Sequence, residues 1–237
     1  MSITWNTRAL VLRREKWREA DKKVVLYTRH FGKVEALAIG AAKITSKLSG
    51  HLEPLREIDV MLAKGKNIDK VAQAVTREDF LKNSSRFEVY WYSQEAARLV
   101  DKITKPGQTD PLLFNFLGQF FRFFKEARSG EEALKIWCAF CLKFLTILGY
   151  RPELESCGKC GKLITPANYF VFLNNHLVCH ACQSGREPRL ILPLKIISAS
   201  RDILKNQFEK VFQLAFSAKE LKLWRNWLKI LTSNVID

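Results

Sequence analysis

Four cysteines in two tight pairs, in the stretch CGKCGKLITPANYFVFLNNHLVCHAC, constrain this chain more than any other feature. Cys157 and Cys160 enclose Gly158-Lys159, Cys179 and Cys182 enclose His180-Ala181, and 18 residues separate the pairs. A two-residue gap lets a tight turn aim two sulfurs at one ion, and Zn²⁺ takes four thiolate or imidazole ligands tetrahedrally. Gly158 and Gly161 allow the backbone to curl around the first pair, with N–H groups facing the sulfurs. The run YFVFL followed by NNHLV reads as a hairpin that returns the second pair to the first. Four sulfurs leave no open position, so a zinc held by Cys157, Cys160, Cys179 and Cys182 would be structural. The segment is too small for a core of its own, and metal binding would supply its folding energy. Another metal, a redox dithiol or a degenerate site are the alternatives, with His176 and His180 as spare ligands nearby.

A third C-x2-C, Cys138 and Cys141, lies in IWCAFCLKFL, where free cysteine behaves as a small hydrophobe; core packing is the expectation there. A thioredoxin-like reading would need a neighbouring βαβ pattern, and none is present.

Upstream, from Trp5 to about Glu78, the pattern is strand-like. TRALVLRR has a β-rich apolar centre, and KKVVLYTRHFGKVEALAIG is two β-rich runs around a turn at His30-Phe31-Gly32-Lys33. Ile58, Val60 and Leu62 alternate with Asp59 and Met61, then Lys64-Gly65-Lys66-Asn67 turns the chain into a run from Ile68 to Val75. Five short strands in about eighty residues suit a small closed or partly closed barrel. After Phe80, three segments at 86–103, 110–127 and 131–150 have helical length and spacing, broken by Lys105-Pro106-Gly107 and Ser129-Gly130. Phe114, Phe116, Leu117, Phe120, Phe121, Phe123 and Phe124 nearly encircle their helix, which should therefore be mostly buried. Helical sequence resumes after the cysteines, at LPLKIISASRDILKN and SAKELKLWRNWLKILTSNV. The fold class is thus α+β: a β-barrel domain at 1–80, then an all-α domain at 81–237 with a zinc-finger insert at about 151–189.

Lys and Arg number 39 against 24 Asp and Glu, a formal charge of +15. Such an excess draws polyanions, nucleic acid first and an acidic membrane surface second. Basic residues crowd the strand-rich part, at Arg8, Arg13, Arg14, Lys16, Arg18, Lys22, Lys23, Arg29, Lys33, Lys43, Lys47 and Arg56, interleaved with Trp5, Trp17, Tyr27 and Phe31. A small barrel with a positive groove and exposed rings holds single strands without strong sequence preference. Individual rings are expected to fill the barrel, while the charge cluster points to binding. The last helix is basic and amphipathic, with Trp224 and Trp227 three apart, and is expected to pack into its own bundle and not onto a membrane.

No export signal is visible in the first twenty residues, and the longest apolar run, Ile136 to Leu148, falls short of the roughly 20 residues a bilayer requires. The expected setting is the cytoplasm. There is no P-loop, no dinucleotide-binding glycine fingerprint and no H-E-x-x-H, so an enzyme is not expected.

A basic N-terminal barrel, the segment GAAKITSKLSGHLEPLREIDV, an all-helical second half and LGYRPELESCGKCGK entering a four-cysteine insert together resemble the bacterial RecO family of DNA repair proteins. The resemblance covers essentially the whole chain, and rests most on Leu148-Gly149-Tyr150-Arg151-Pro152 before Cys157 and on Lys43, Lys47 and Pro54. It implies an N-terminal OB fold and a recombination mediator without enzymatic activity. Such proteins bind single- and double-stranded DNA, anneal complementary strands and, with RecR, help load RecA onto DNA coated by single-stranded DNA-binding protein (SSB), whose acidic, hydrophobic C-terminal tail they contact through the helical domain. Such a protein would be nucleoid-associated when on DNA. It would carry structural Zn²⁺ on the four cysteines, dispensable for activity since some members lack them. Arg13, Arg14, Lys16, Arg18, Lys22, Lys23, Arg29, Lys33, Lys43, Lys47 and Arg56 are the candidate DNA contacts. A zinc-ribbon RNA-binding or transcription-associated protein is the alternative reading.

Overall fold

Alternating side chains dictate the first third of the chain. In the computed structural model, which describes residues 3–81, 86–165, 170–173 (backbone only), 176–182, 190–205 and 212–236, they form five strands. These are β1 (Thr4–Lys16), β2 (Lys22–Thr28), β3 (Gly32–Ala38), β4 (Arg56–Ala63) and β5 (Asp69–Asp79). They pair in the closed order β1-β2-β3-β5-β4. Contacts between neighbours are antiparallel except β3 with β5, which is parallel. Closure needs a strand shared by two neighbours, and β1 supplies it: Ala9 faces Thr28 on one side and Ile58 on the other. That is why β1 runs to 13 residues and β5 to 11, longer than the short strands the sequence suggested. The barrel core is filled by Val11, Val24, Leu26, Ile58, Val60 and Leu62, together with Ala9, Ala36, Ala38 and Ala74.

β1 changes register between Val11 and Arg13. The Leu55 N–H fills the gap by donating to the Val11 carbonyl at 2.9 Å, and the Leu55 carbonyl accepts from Phe80 N–H at 3.2 Å. To do both, Leu55 adopts φ +63°, a left-handed conformation that costs a non-glycine residue roughly 1–2 kcal/mol. Its side chain is buried, which offsets that cost. Gly32 opens β3 directly after the Arg29–Phe31 turn, two residues earlier than the expected turn allows. It has φ +63°, and a Cβ there would lie 2.1 Å from the Gln108 carbonyl oxygen, so only glycine fits.

Strand gives way to helix after β5, near the expected division at 80/81. By packing, however, α1 (Phe87–Ile103) and α2 (Pro111–Glu126) lie with the barrel in one compact unit, Met1–Ala133. Asp110 caps α2 by accepting from the N–H groups of Leu112 and Leu113, with Pro111 at the first helical position. α2 buries Leu113, Phe114, Leu117, Phe120, Phe121 and Phe124, while Phe116 and Phe123 remain half-buried, so one broad face is covered instead of the whole circumference. Charge fastens the helices to the barrel. Asp101 of α1 accepts from Arg13 Nε at 2.9 Å, and its backbone carbonyl accepts from Lys33. Glu57, only 3% exposed, accepts from Arg8 Nε at 2.8 Å and lies 3.7 Å from Arg122 of α2. The Arg8 guanidinium lies over the Phe114 ring and that of Arg122 over the Phe80 ring, so the cationic heads of these ion pairs also face aromatic rings.

The second unit, Leu134–Asp237, contains most of α3 (Gly130–Ile147), then α4 (Leu194–Lys205) and α5 (Ala218–Ile236). It also holds a small sheet in the order β7-β6-β8, from β6 (Phe170–Leu173), β7 (His176–Cys179) and β8 (Leu190–Leu192). Cys138 and Cys141 are fully buried in α3 beside Phe140 and Phe144, and burial pushes the Cys138 thiol well up. Trp224 and Trp227 are fully buried too, so the stripe on α5 is core. Among the described residues no helix is long and apolar enough to cross a membrane.

Glu57 offers a direct stability test. Glu57→Gln leaves two guanidinium groups facing a neutral amide, with an expected loss of about 3 kcal/mol in urea unfolding. Asp59→Asn, which breaks an exposed pair with Arg77, should cost under about 1 kcal/mol. Equal, small losses would show that the buried carboxylate does not fasten α2.

Candidate metal centre and basic surface

The turn at the first cysteine pair is set by backbone bonds. Cys157 N–H donates to the Lys162 carbonyl at 2.8 Å and Gly161 N–H to the Cys157 carbonyl at 2.9 Å, which folds Cys157 and Cys160 to one side. Gly161 has φ +70°, and a Cβ on Gly158 would sit 2.7 Å from His176 Cβ. The glycines thus let the turn lie against β7, where Gly158 N–H donates to the Leu177 carbonyl at 2.8 Å. β7 pairs antiparallel with β6, Phe170 opposite Cys179, in the expected hairpin, whose tip at 174–175 lies outside the described residues. A single 3₁₀ turn, His180–Cys182, then carries the last cysteine. The end of the expected insert, 183–189, lies outside the described residues as well.

This path brings the four sulfurs within 4.8 Å of one another. Cys160 Sγ and Cys179 Sγ are 3.7 Å apart. A metal–sulfur bond of about 2.3 Å makes the edge of a regular tetrahedron about 3.8 Å, so the donor set fits one tetrahedral thiophilic ion. Cys157 and Cys179 are buried while Cys160 is exposed. Among the described residues no histidine joins the group: His176 packs on Gly158, and His180 is exposed. The entry to the turn is fastened to α4, where Arg201 Nε donates to the Leu154 carbonyl at 2.9 Å and Lys205 pairs with Glu155 at 2.9 Å.

The local electrostatics favour an anionic sulfur at Cys157 and oppose one at Cys182. Burial pushes the Cys157 thiol up, but backbone N–H groups from Cys179, Cys160 and Lys159 outweigh it and bring it down to about 6. Cys182 is pushed up to about 12, because its proton is shared with Cys160 and Cys179 and their charge opposes its own. Four thiols this close cannot all ionise without a cation among them.

The eleven candidate DNA contacts separate into two sets. Arg13 pairs with Asp101 and Glu15, Arg14 with Glu53, Lys23 with Glu35 at 2.8 Å, Lys33 with Asp101, and Arg56 with Asp79 at 2.7 Å. Lys16, Arg18, Lys22, Arg29, Lys43 and Lys47 have no acidic partner among the described residues. Of these, Lys16, Arg18, Lys43 and Lys47 are exposed, and all four lie on or beside two segments joined by hydrogen bonds. Ala42 N–H donates to the Ala20 carbonyl at 2.9 Å, and Gly40 N–H to Asp21 Oδ1 at 2.8 Å. The β1–β2 loop is thereby tied to the loop that follows β3. The rings divide as well: Tyr27 is buried, Trp5 packs at a tilt against Phe31 with ring centroids 4.2 Å apart, and Trp17 is 47% exposed with Lys23 over its face. Sequence reading passed over Lys66 and Lys70, exposed and without an acidic partner among the described residues. Lys70 is placed beside Leu37 by the parallel β3–β5 pairing, a contact no local pattern announces.

A closed five-stranded barrel with exposed cations on two joined loops, then helices interrupted by a four-cysteine knuckle, define an α+β protein of two compact units with a candidate structural metal centre. The chain belongs to the RecO family: residues 1–80 match the family model for the recombination protein O N terminal, and 84–231 that for the recombination protein O C terminal. It is 29% identical over 208 residues to the DNA repair protein RecO of Alkaliphilus metalliredigens (strain QYMF), covering 88% of this chain and 84% of that one. To its counterpart in Desulfitobacterium hafniense (strain DSM 10664 / DCB-2) it is 29% identical over 225 residues, covering 93% and 78%. To that of Desulforudis audaxviator (strain MP104C) it is 32% identical over 185 residues, covering 78% and 72%. The family places the chain in DNA repair and recombination.

Cys157→Ser combined with Cys160→Ser should abolish the bound metal, read by elemental analysis, and lower the melting temperature by several degrees. Metal affinity of the unsubstituted protein should rise with pH, because the ion displaces the Cys182 proton, and proton release should accompany binding. Metal content and melting temperature unchanged in the double variant would refute the site.

Proposed function

We propose that the chain is a DNA-binding recombination mediator: it holds single and double strands, anneals complementary strands and, with RecR, helps load RecA onto SSB-coated single-stranded DNA, without cleaving or forming a covalent bond. The observation that carries this reading is the set of exposed cations Lys16, Arg18, Lys43 and Lys47, without acidic partners among the described residues, on two hydrogen-bonded loops of one small barrel. The strand order with its single parallel pair fits an OB fold, whose grooves commonly track phosphate backbones. Annealing needs charge that neutralises two backbones while leaving base edges free, a task for lysines on loops and not for a catalytic group.

On this reading Lys16, Arg18, Lys22, Arg29, Lys43 and Lys47 meet phosphate. Arg13, Arg14, Lys23, Lys33 and Arg56 chiefly hold the barrel and its helices together. The four cysteines hold Zn²⁺, which stiffens the second unit and supplies no chemistry to the strands. For the SSB tail, apolar and acidic, the candidate seat is the pocket of about 190 Å³ lined by Leu145, Tyr150, Pro152, Leu231 and Val235, where Arg151 and His176 stand beside one acid, Glu153.

The test is annealing of two labelled complementary oligonucleotides, one coated with SSB, over a salt series with a check that strands stay intact. Acceleration that fades with salt supports the reading. Preference for structured RNA would move the chain to an RNA-binding role, and chelator-sensitive cleavage would make it a nuclease. Replacing Lys16, Arg18, Lys43 and Lys47 by Gln should lower the salt slope of single-strand binding by about 3. Replacing Arg13, Arg14 and Lys23 should lower it less and chiefly reduce stability.

A further inference from the structure

The loop after β3 breaks a local rule. Lys43 carbonyl accepts from Ser46 N–H at 3.0 Å, a turn whose central residues are Ile44 and Thr45. Such positions favour Gly, Pro, Asn, Asp and Ser, and a stiff β-branched apolar side chain there contributes nothing to the turn. Ile44 is 105% exposed, as open as a side chain can be. The loop is nevertheless anchored: Ala41 is fully buried, Leu48 packs on the barrel core, and Gly40 and Ala42 are bonded to the neighbouring loop. A fixed tip that exposes isoleucine without a stability gain is where sequence and fold part company for a function.

Its surroundings select the occupant. Lys43 and Lys47 flank the tip, both exposed and without acidic partners among the described residues. Exposed Trp17 and Arg18 sit on the loop bonded to it, and Ile39, 52% exposed, opens the same segment. Asp21 spends its carboxylate on Gly40 N–H, leaving Glu19 as the exposed acid of the joined loops. Apolar side chains framed by cations match a single nucleic-acid strand, whose phosphates lie beside unstacked bases.

We propose that Ile44 is an apolar wedge that contacts the bases of a bound strand, with Lys43 and Lys47 on the flanking phosphates, so that this tip makes the protein prefer unstacked bases over duplex. The inference rests on the DNA-binding reading above and adds to it the residue that senses strand state. Ile44 acts by contact and not by charge, so its effect is separable from that of its neighbours.

The experiment uses the full chain, a single-stranded oligonucleotide containing 2-aminopurine, and the matching duplex. Ile44→Ser, which alters no buried contact, should weaken single-strand binding roughly fivefold and reduce the 2-aminopurine response, with little effect on duplex affinity or on the salt slope. Lys43→Gln with Lys47→Gln should lower the single-strand salt slope by about 1.4, while bound complexes keep the 2-aminopurine response. Wild-type binding matched by Ile44→Ser in affinity and fluorescence overturns the wedge alone. Failure of the wild type to bind any strand overturns both the wedge and the functional reading. Binding to anionic phospholipid vesicles that Ile44→Ser abolishes, with DNA binding unaltered, assigns the tip to a lipid surface and overturns the wedge.

Discussion

The first unit depends on one strand doing two things. β1 pairs with β2 along its second half and with β4 along its first, and the two pairings overlap at Ala9 and Leu10. The ring closes through that overlap and through a short parallel seam between β3 and β5, and β1 changes register after Val11, which Leu55 accommodates by entering a left-handed conformation. The placement of the proposed DNA-contacting loops hangs from this closure. It fixes where β1 ends, at Lys16, and where β3 ends, at Ala38, and so which two loops meet.

Charge on this unit serves two purposes that composition cannot separate. Arg8, Arg13, Lys33, Arg56 and Arg122 are spent on Glu57, Asp101 and Asp79, in partly buried pairs that bind strand to strand or helix to barrel. Lys16, Arg18, Lys43 and Lys47 face water. The second kind is the more available to a polyanion, because an arginine already facing a carboxylate must give up that partner before it can neutralise a phosphate and displace the counterions condensed on the strand.

Much of this was legible in the sequence, for identifiable reasons. Period-two alternation marked β4, Lys105-Pro106-Gly107 closed α1, and the C-x2-C spacing announced the knuckle, because each of these signals is local. Pairing partners are not local. Nothing near Arg13 tells that Asp101, in a helix, will take its charge, and nothing near Lys70 tells that a parallel contact sets it beside Leu37. The length of β1 was underestimated for the same reason, since the demand for it comes from two partners distant in the chain. Ile44 was quoted within a motif but its exposure was invisible, because a lone isoleucine between lysines reads equally well as a strand residue.

The cysteine knuckle is more self-contained. Its turn, its glycines and its fastening to α4 through Arg201 and Lys205 all lie in the second unit. On the proposed reading its role is that of a brace, and DNA contact falls to the joined loops of the barrel. Photo-crosslinking of the full chain to a single strand carrying bromouracil, followed by peptide mapping, tests that assignment most directly. The account predicts adducts in the β1–β2 loop and in residues 39–48. Adducts confined to residues 134–237 would contradict it.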